Sequence, residues 1–156
     1  MKEYVSERDW VADVRLVIAS RSDFVQRGIT GYPVELQQLE SDLVRRDIRL
    51  KPVDAAMAFL CWVMSQASID HLFILAQRKT ASMCAEISGM KLDSDHHAQV
   101  RGNHGISKLC RIGVIEVLDV PMMLMKTGER KERFLTYRWA FVPPSSLIEP
   151  EQHPAR

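Results

Sequence analysis

The chain has 156 residues, 46% hydrophobic and 26% charged, with a formal net charge of +1. That is enough to bury a core in one domain with extensions, and it excludes both a disordered polyelectrolyte and a strongly basic nucleic-acid binder. No stretch approaches the roughly 20 apolar residues that cross a bilayer, which leaves no membrane partner to expect. The three cysteines, Cys61, Cys84 and Cys110, lack CxxC spacing and fit a reducing, cytoplasmic setting better than a disulfide framework.

In chain order, Trp10, Val14, Val17 and Ile18 mark one face of an amphipathic helix over 6–20. Gly28, Gly31 and Pro33 predict a turn around Tyr32. A second helix is expected over 33–47, with Leu36, Leu39 and Leu43 as its stripe and Glu35, Glu40, Asp42, Arg45 and Arg46 as a solvated face. That stripe fits packing inward or against a second subunit. A third helix over 53–66 is apolar almost all round, from Ala55 to Met64, and so belongs at the centre. Leu72, Phe73, Ile74 and Leu75 predict a buried strand. Thr80 is the expected N-cap of a short helix carrying Met83, Cys84 and Ile87 and stopped by Gly89.

The next helix begins near Ser94 or Asp95, either of which can cap it. At 100° per residue, Ala98, Gly102, Gly105, Ile106 and Leu109 share one face. His96, His97, Val100, Asn103, His104, Ser107 and Arg111 lie opposite, with Arg101 and Lys108 at a flank. Gly102 and Gly105 each cost about 1 kcal/mol relative to Ala in a helix interior, and both fall where a missing side chain lets another helix come close. A continuous helix is expected, the rival being a break at Gly102 with Asn103 as a new cap. After Gly113 a strand is expected over 114–120, which the apolar run 122–125 can prolong past Pro121. The charged segment 126–132 then reads as a hairpin turn around Gly128. Leu135, Tyr137, Trp139 and Phe141 alternate with Thr136, Arg138 and Ala140 in a last strand that Pro143 and Pro144 end.

Positive charge gathers in this half. Between positions 98 and 138 stand Arg101, Lys108, Arg111, Lys126, Arg130, Lys131, Arg133 and Arg138 against Glu116, Asp119, Glu129 and Glu132. The rest of the chain is therefore net acidic. Such a patch on a neutral protein can hold phosphates, with fewer contacts than a basic binder makes.

The order helix, strand, helix, helix, strand, charged hairpin, strand over 53–142 resembles the winged-helix variant of the helix-turn-helix. The closest motif is Ile106-Ser107-Lys108-Leu109-Cys110-Arg111-Ile112-Gly113-Val114-Ile115, which is similar to that family's step from recognition helix into wing. Thr80 to Gly89 resembles its first helix-turn-helix helix. The layout looks somewhat like the winged-helix domains of plasmid and phage replication initiators and small prokaryotic repressors. The resemblance implies a mostly helical α+β fold with an N-terminal helical extension over 1–50, a winged helix over 51–143 and a loose tail over 144–156. It also implies binding to double-stranded DNA in transcription or replication control, as a homodimer reading a palindromic site.

On that expectation His96, His97, Val100, Arg101, Asn103, His104, Ser107, Lys108 and Arg111 face the DNA groove. Arg suits guanine, Asn adenine and Val a thymine methyl. Lys126, Arg130, Lys131 and Arg133 on the hairpin would hold phosphate. The plain alternatives are a solvated helix face and a solubilising turn, and a winged helix used only for protein contacts is the competing function. No catalytic constellation, cofactor or metal site is expected. His96 and His97 point about 100° apart on a helix, and a structural zinc needs tighter convergence.

Overall fold

The structure is a computed structural model that describes residues 6–26, 34–118 and 135–143, with side chains of the first segment described to residue 16. The described residues form five helices and a small antiparallel sheet: α1 (Glu7–Gln26), α2 (Val34–Arg45), α3 (Pro52–Ala67), β1 (Leu72–Ile74), α4 (Gln77–Ser88), α5 (Asp95–Arg111), β2 (Ile115–Leu118) and β3 (Thr136–Trp139). It is a mostly helical α+β arrangement. No helix among the described residues is long and apolar enough to cross a membrane.

Helix α3 is central, as its composition requires. Val53, Met57, Leu60, Cys61 and Val63 are all fully buried. Around it pack α1, through Trp10 and Val14, and α2, through Leu36, Leu39 and Leu43. The leucine stripe of α2 is thus buried within the chain. Helix α1 is also tied down by polar contacts. Trp10 Nε1 donates to the Ile74 carbonyl at 3.1 Å, and Arg78 pairs with Glu7 at 2.9 Å.

Strand β3 lies between its neighbours, in the order β1-β3-β2. Tyr137 therefore faces Phe73 on one side and Val117 on the other. The Phe73 and Tyr137 rings stack at 6.2 Å between centroids. Arg138 and Glu116 pair across β2 and β3.

Several elements differ from the sequence pattern. Helix α1 runs to Gln26, six residues beyond the expected end. Helix α4 starts at Gln77, with Ala76 rather than Thr80 at the cap. Thr80 is instead fully buried within the helix, its backbone N–H donating to the Ala76 carbonyl at 2.7 Å. The polar run Gln77, Arg78 and Lys79, which precedes the expected cap, forms the first turn of the helix. In it Arg78 is paired with Glu7 and, at 3.2 Å, with Asp95. Ile87 lies half-exposed rather than on the inner stripe with Met83 and Cys84. In β3 the alternation fails at its start, since Thr136 is fully buried and Leu135 half-exposed. A central strand has neighbours on both edges, so polar Thr136 is enclosed beside Ile74 and Leu118. The turn at 28–33, the segment 119–134 with its hairpin, and the tail 144–156 lie outside the described residues.

Candidate nucleic-acid interface

Ser94 opens α5, its hydroxyl accepting from the His97 N–H at 3.1 Å. The helix continues unbroken to Arg111. Its inner face is Ala98, Gly102, Gly105, Ile106 and Leu109, all buried. The two glycines are packing requirements. A Cβ on Gly102 would strike the Gln77 carbonyl, with its carbon only 2.7 Å away. One on Gly105 would stand 2.8 Å from Asp54 Oδ1 and 2.9 Å from Met57 Cε. Helix α5 thus meets the start of α4 at a separation that only glycine permits, while against α3 the atoms facing Gly105 are side-chain ends.

Both connections around this helix depend on left-handed backbone. Gly89 caps α4 at φ 77° and turns the chain toward α5. Gly113, at φ 86°, turns it from α5 into β2. The turn is closed by the Val114 N–H donating to the Leu109 carbonyl at 2.9 Å.

The opposite face is open. His96, Val100, Asn103, His104, Ser107 and Arg111 are all exposed. His97 is half-buried, and its Nδ1 accepts from the Asp93 N–H at 3.2 Å, so it closes the first turn locally. Lys108, also half-buried, donates from Nζ to the Arg49 carbonyl at 3.0 Å. Arg101 is withdrawn from the expected face. Its side chain is only 14% exposed and Nη2 lies 2.7 Å from Oδ1 of Asp54, itself 1% exposed. The contact is an ion pair without hydrogen-bond geometry, and Asp54 Oδ1 and both Arg101 Nη atoms have no hydrogen-bond partner among the described residues. It joins α3 to α5 rather than facing outward.

Between α5 and the sheet runs an open cleft of about 720 Å³. Asn103, Ser107 and Arg111 form its helical wall, and Val117, Leu135 and Tyr137 its sheet wall. Cys110 lines the same cleft, its thiol pushed up by burial. That disfavours the reactive thiolate. Cys84 is pushed up to about 12, chiefly by burial and then by the Asp54 charge. Among the described residues no three His, Cys, Asp or Glu side chains converge as metal ligands do.

Lys126, Arg130, Lys131 and Arg133 lie outside the described residues. Residues that sequence reasoning missed also reach α5. Arg46 donates through Nη1 and Nη2 to the Ile112 carbonyl, each at 3.3 Å, and Arg49 is brought against Lys108. Their signal was present in the basic run Arg45, Arg46, Arg49 and Lys51. In the sequence pattern Arg45 and Arg46 belong to the solvated face of α2, and Arg49 and Lys51 have no role. Comparison with protein-family models, curated proteins and solved structures yields no match to this chain.

Proposed function

We propose that residues 51–143 are a winged helix that binds double-stranded DNA through α5, in transcription or replication control on a plasmid or phage. The observation that carries this is the two-sidedness of α5. One face is fixed by glycine contacts and buried apolar side chains, and the other presents His96, Val100, Asn103, His104, Ser107 and Arg111 to solvent. A helix held rigidly with donors and a small apolar group outward has the chemistry of major-groove readout. The element order from α3 to β3 and the β1-β3-β2 sheet support the same reading. A homodimer belongs to the proposal through two-fold site use in such proteins. Its interface would not be the leucine stripe of α2, which the chain itself covers.

Arg111→Ala and Asn103→Ala should each cost about 1–3 kcal/mol in affinity for the preferred duplex and leave unfolding stability near wild type. A duplex pool selected on the wild-type protein supplies that preferred site. If both variants bind it as wild type does, α5 does not read bases. A protein-interaction module is the competing reading, favoured by half-exposed Val117 and Leu135 (49% and 48%) in the cleft and Val100 (50%) on the open face of α5. Failure of the wild-type protein to bind any duplex at low salt would decide for it.

A further inference from the structure

A second basic surface stands at the C-terminal end of α5, built from chain that precedes α3. Helix α2 ends at Arg45, and the Ile48 N–H donates to the Leu43 carbonyl at 2.8 Å around Asp47, whose φ is 57°. This turn sends 48–51 alongside the last turn of α5. Two long-range bonds hold it there, Arg46 to the Ile112 carbonyl and Lys108 to the Arg49 carbonyl. These bonds bring the segment that carries Arg49 and Lys51 to the end of the helix that carries Lys108 and Arg111.

Their charge balance differs from that of their neighbours. Asp42, buried, neutralises Arg45 and Arg46 at 2.9 Å each. None of Arg49, Lys51, Lys108 and Arg111 has an acidic partner within ion-pair distance among the described residues. Arg49, Lys51 and Arg111 are exposed, and Lys108 is half-buried with its ammonium on a backbone oxygen. Four cations without an ion-pair partner among the described residues, on segments that the Arg46 and Lys108 bonds to backbone fix against one another, suit a polyanion with regularly spaced charges.

We propose that the α2–α3 connection is a phosphate-binding arm of the DNA interface. In it Arg49 and Lys51 contact the backbone of the duplex whose groove receives α5, and Lys108 and Arg111 bridge the two surfaces. The proposal rests on the DNA reading above. It assigns the extension a direct part in binding, and it places phosphate contacts beyond the C-terminal end of the helix. Contacts of this kind carry no sequence information and act through counterion release.

The test is an Arg49→Ala/Lys51→Ala double variant of the full chain. Neither side chain makes a described contact, and the Arg49 carbonyl that holds Lys108 is unchanged. Affinity is measured for a selected and a random duplex across a salt series, beside wild type and Asn103→Ala. Expected is weaker binding to both duplexes by the same factor, with the log–log salt slope flattened by about 0.9 for each lost contact. Unaltered slope and affinity in the double variant, with Asn103→Ala still impaired, would overturn the arm and leave the groove reading intact. Absence of duplex binding by wild type would overturn both. A larger loss on single-stranded RNA than on duplex DNA would overturn the choice of DNA as the polyanion.

Discussion

At the scale of single residues, two glycines set where α5 can sit. Gly102 meets main chain, the Gln77 carbonyl, which cannot swing aside. Gly105 meets the ends of side chains, Asp54 and Met57. Gly102→Ala should therefore be the more damaging substitution, costing roughly 1–3 kcal/mol or more as overpacking, while Gly105→Ala is partly relieved by movement of Met57. Urea unfolding of the two variants side by side checks the order, and a milder Gly102→Ala would mean that α4 yields. Asp47 is the opposite case. It is a non-glycine residue at φ 57°, and left-handed backbone costs an L-residue roughly 1–2 kcal/mol, less for Asp. Asp47→Gly should thus raise stability by up to about 1 kcal/mol, read as a higher urea midpoint.

At the scale of elements, the ion pair between Asp54 and Arg101 fastens α5 to α3. Removing one partner leaves a buried charge alone, so Asp54→Ala should cost about 3–5 kcal/mol. Replacing both by apolar residues of similar size should restore much of that loss, and a double-mutant cycle in urea measures it. If the single variant loses less than about 1 kcal/mol, Arg101 has turned out to solvent and is again available to DNA. Amphipathic spacing was enough to find most elements. The inner face of α5 follows from residues 98 to 109 alone, and the stops at Gly89 and Gly113 follow from glycine's tolerance of positive φ. The start of α4 was not legible, because Ala76 caps it without a side-chain bond and the partners of Arg78, Glu7 and Asp95, are remote in sequence or in the next helix. The inward turn of Arg101 was hidden for a like reason, since its partner Asp54 lies in the first turn of a helix 47 positions earlier. Local spacing placed it on a flank and could go no further. The proposed arm was illegible because residues 48–51 reach the end of α5 only through tertiary contacts, Arg46 to Ile112 and Lys108 to Arg49.

At the scale of the whole molecule, helices α1 and α2 belong to the same core as the elements after them, with Trp10, Val14 and the leucine stripe in one cluster with α3 and the sheet. The same core contains titratable groups that are held protonated. Burial raises Cys61 well above its ordinary value, with smaller contributions from the Cys84 and Cys110 charges. Burial likewise moves Cys84 from 9.0 to about 12, and Tyr137 from 10.0 to about 12. These groups are neutral when protonated, and the folded chain keeps their protons to higher pH than the unfolded chain does. The folded state therefore binds more protons above pH 9, and stability must fall as pH rises toward 12. Each such group adds a slope of about 1.4 kcal/mol per pH unit while it is charged only in the unfolded chain. Stability should be insensitive to these groups near neutrality and then decline steeply, read from urea midpoints across the alkaline range. Cys84→Ala lowers stability at every pH through its cavity, so the slope is the informative quantity. It should be shallower than wild type by about one proton's worth above pH 9. An equal slope in the two proteins would mean that the Cys84 thiol ionises in the folded state, and that the seam between α3 and α4 admits water.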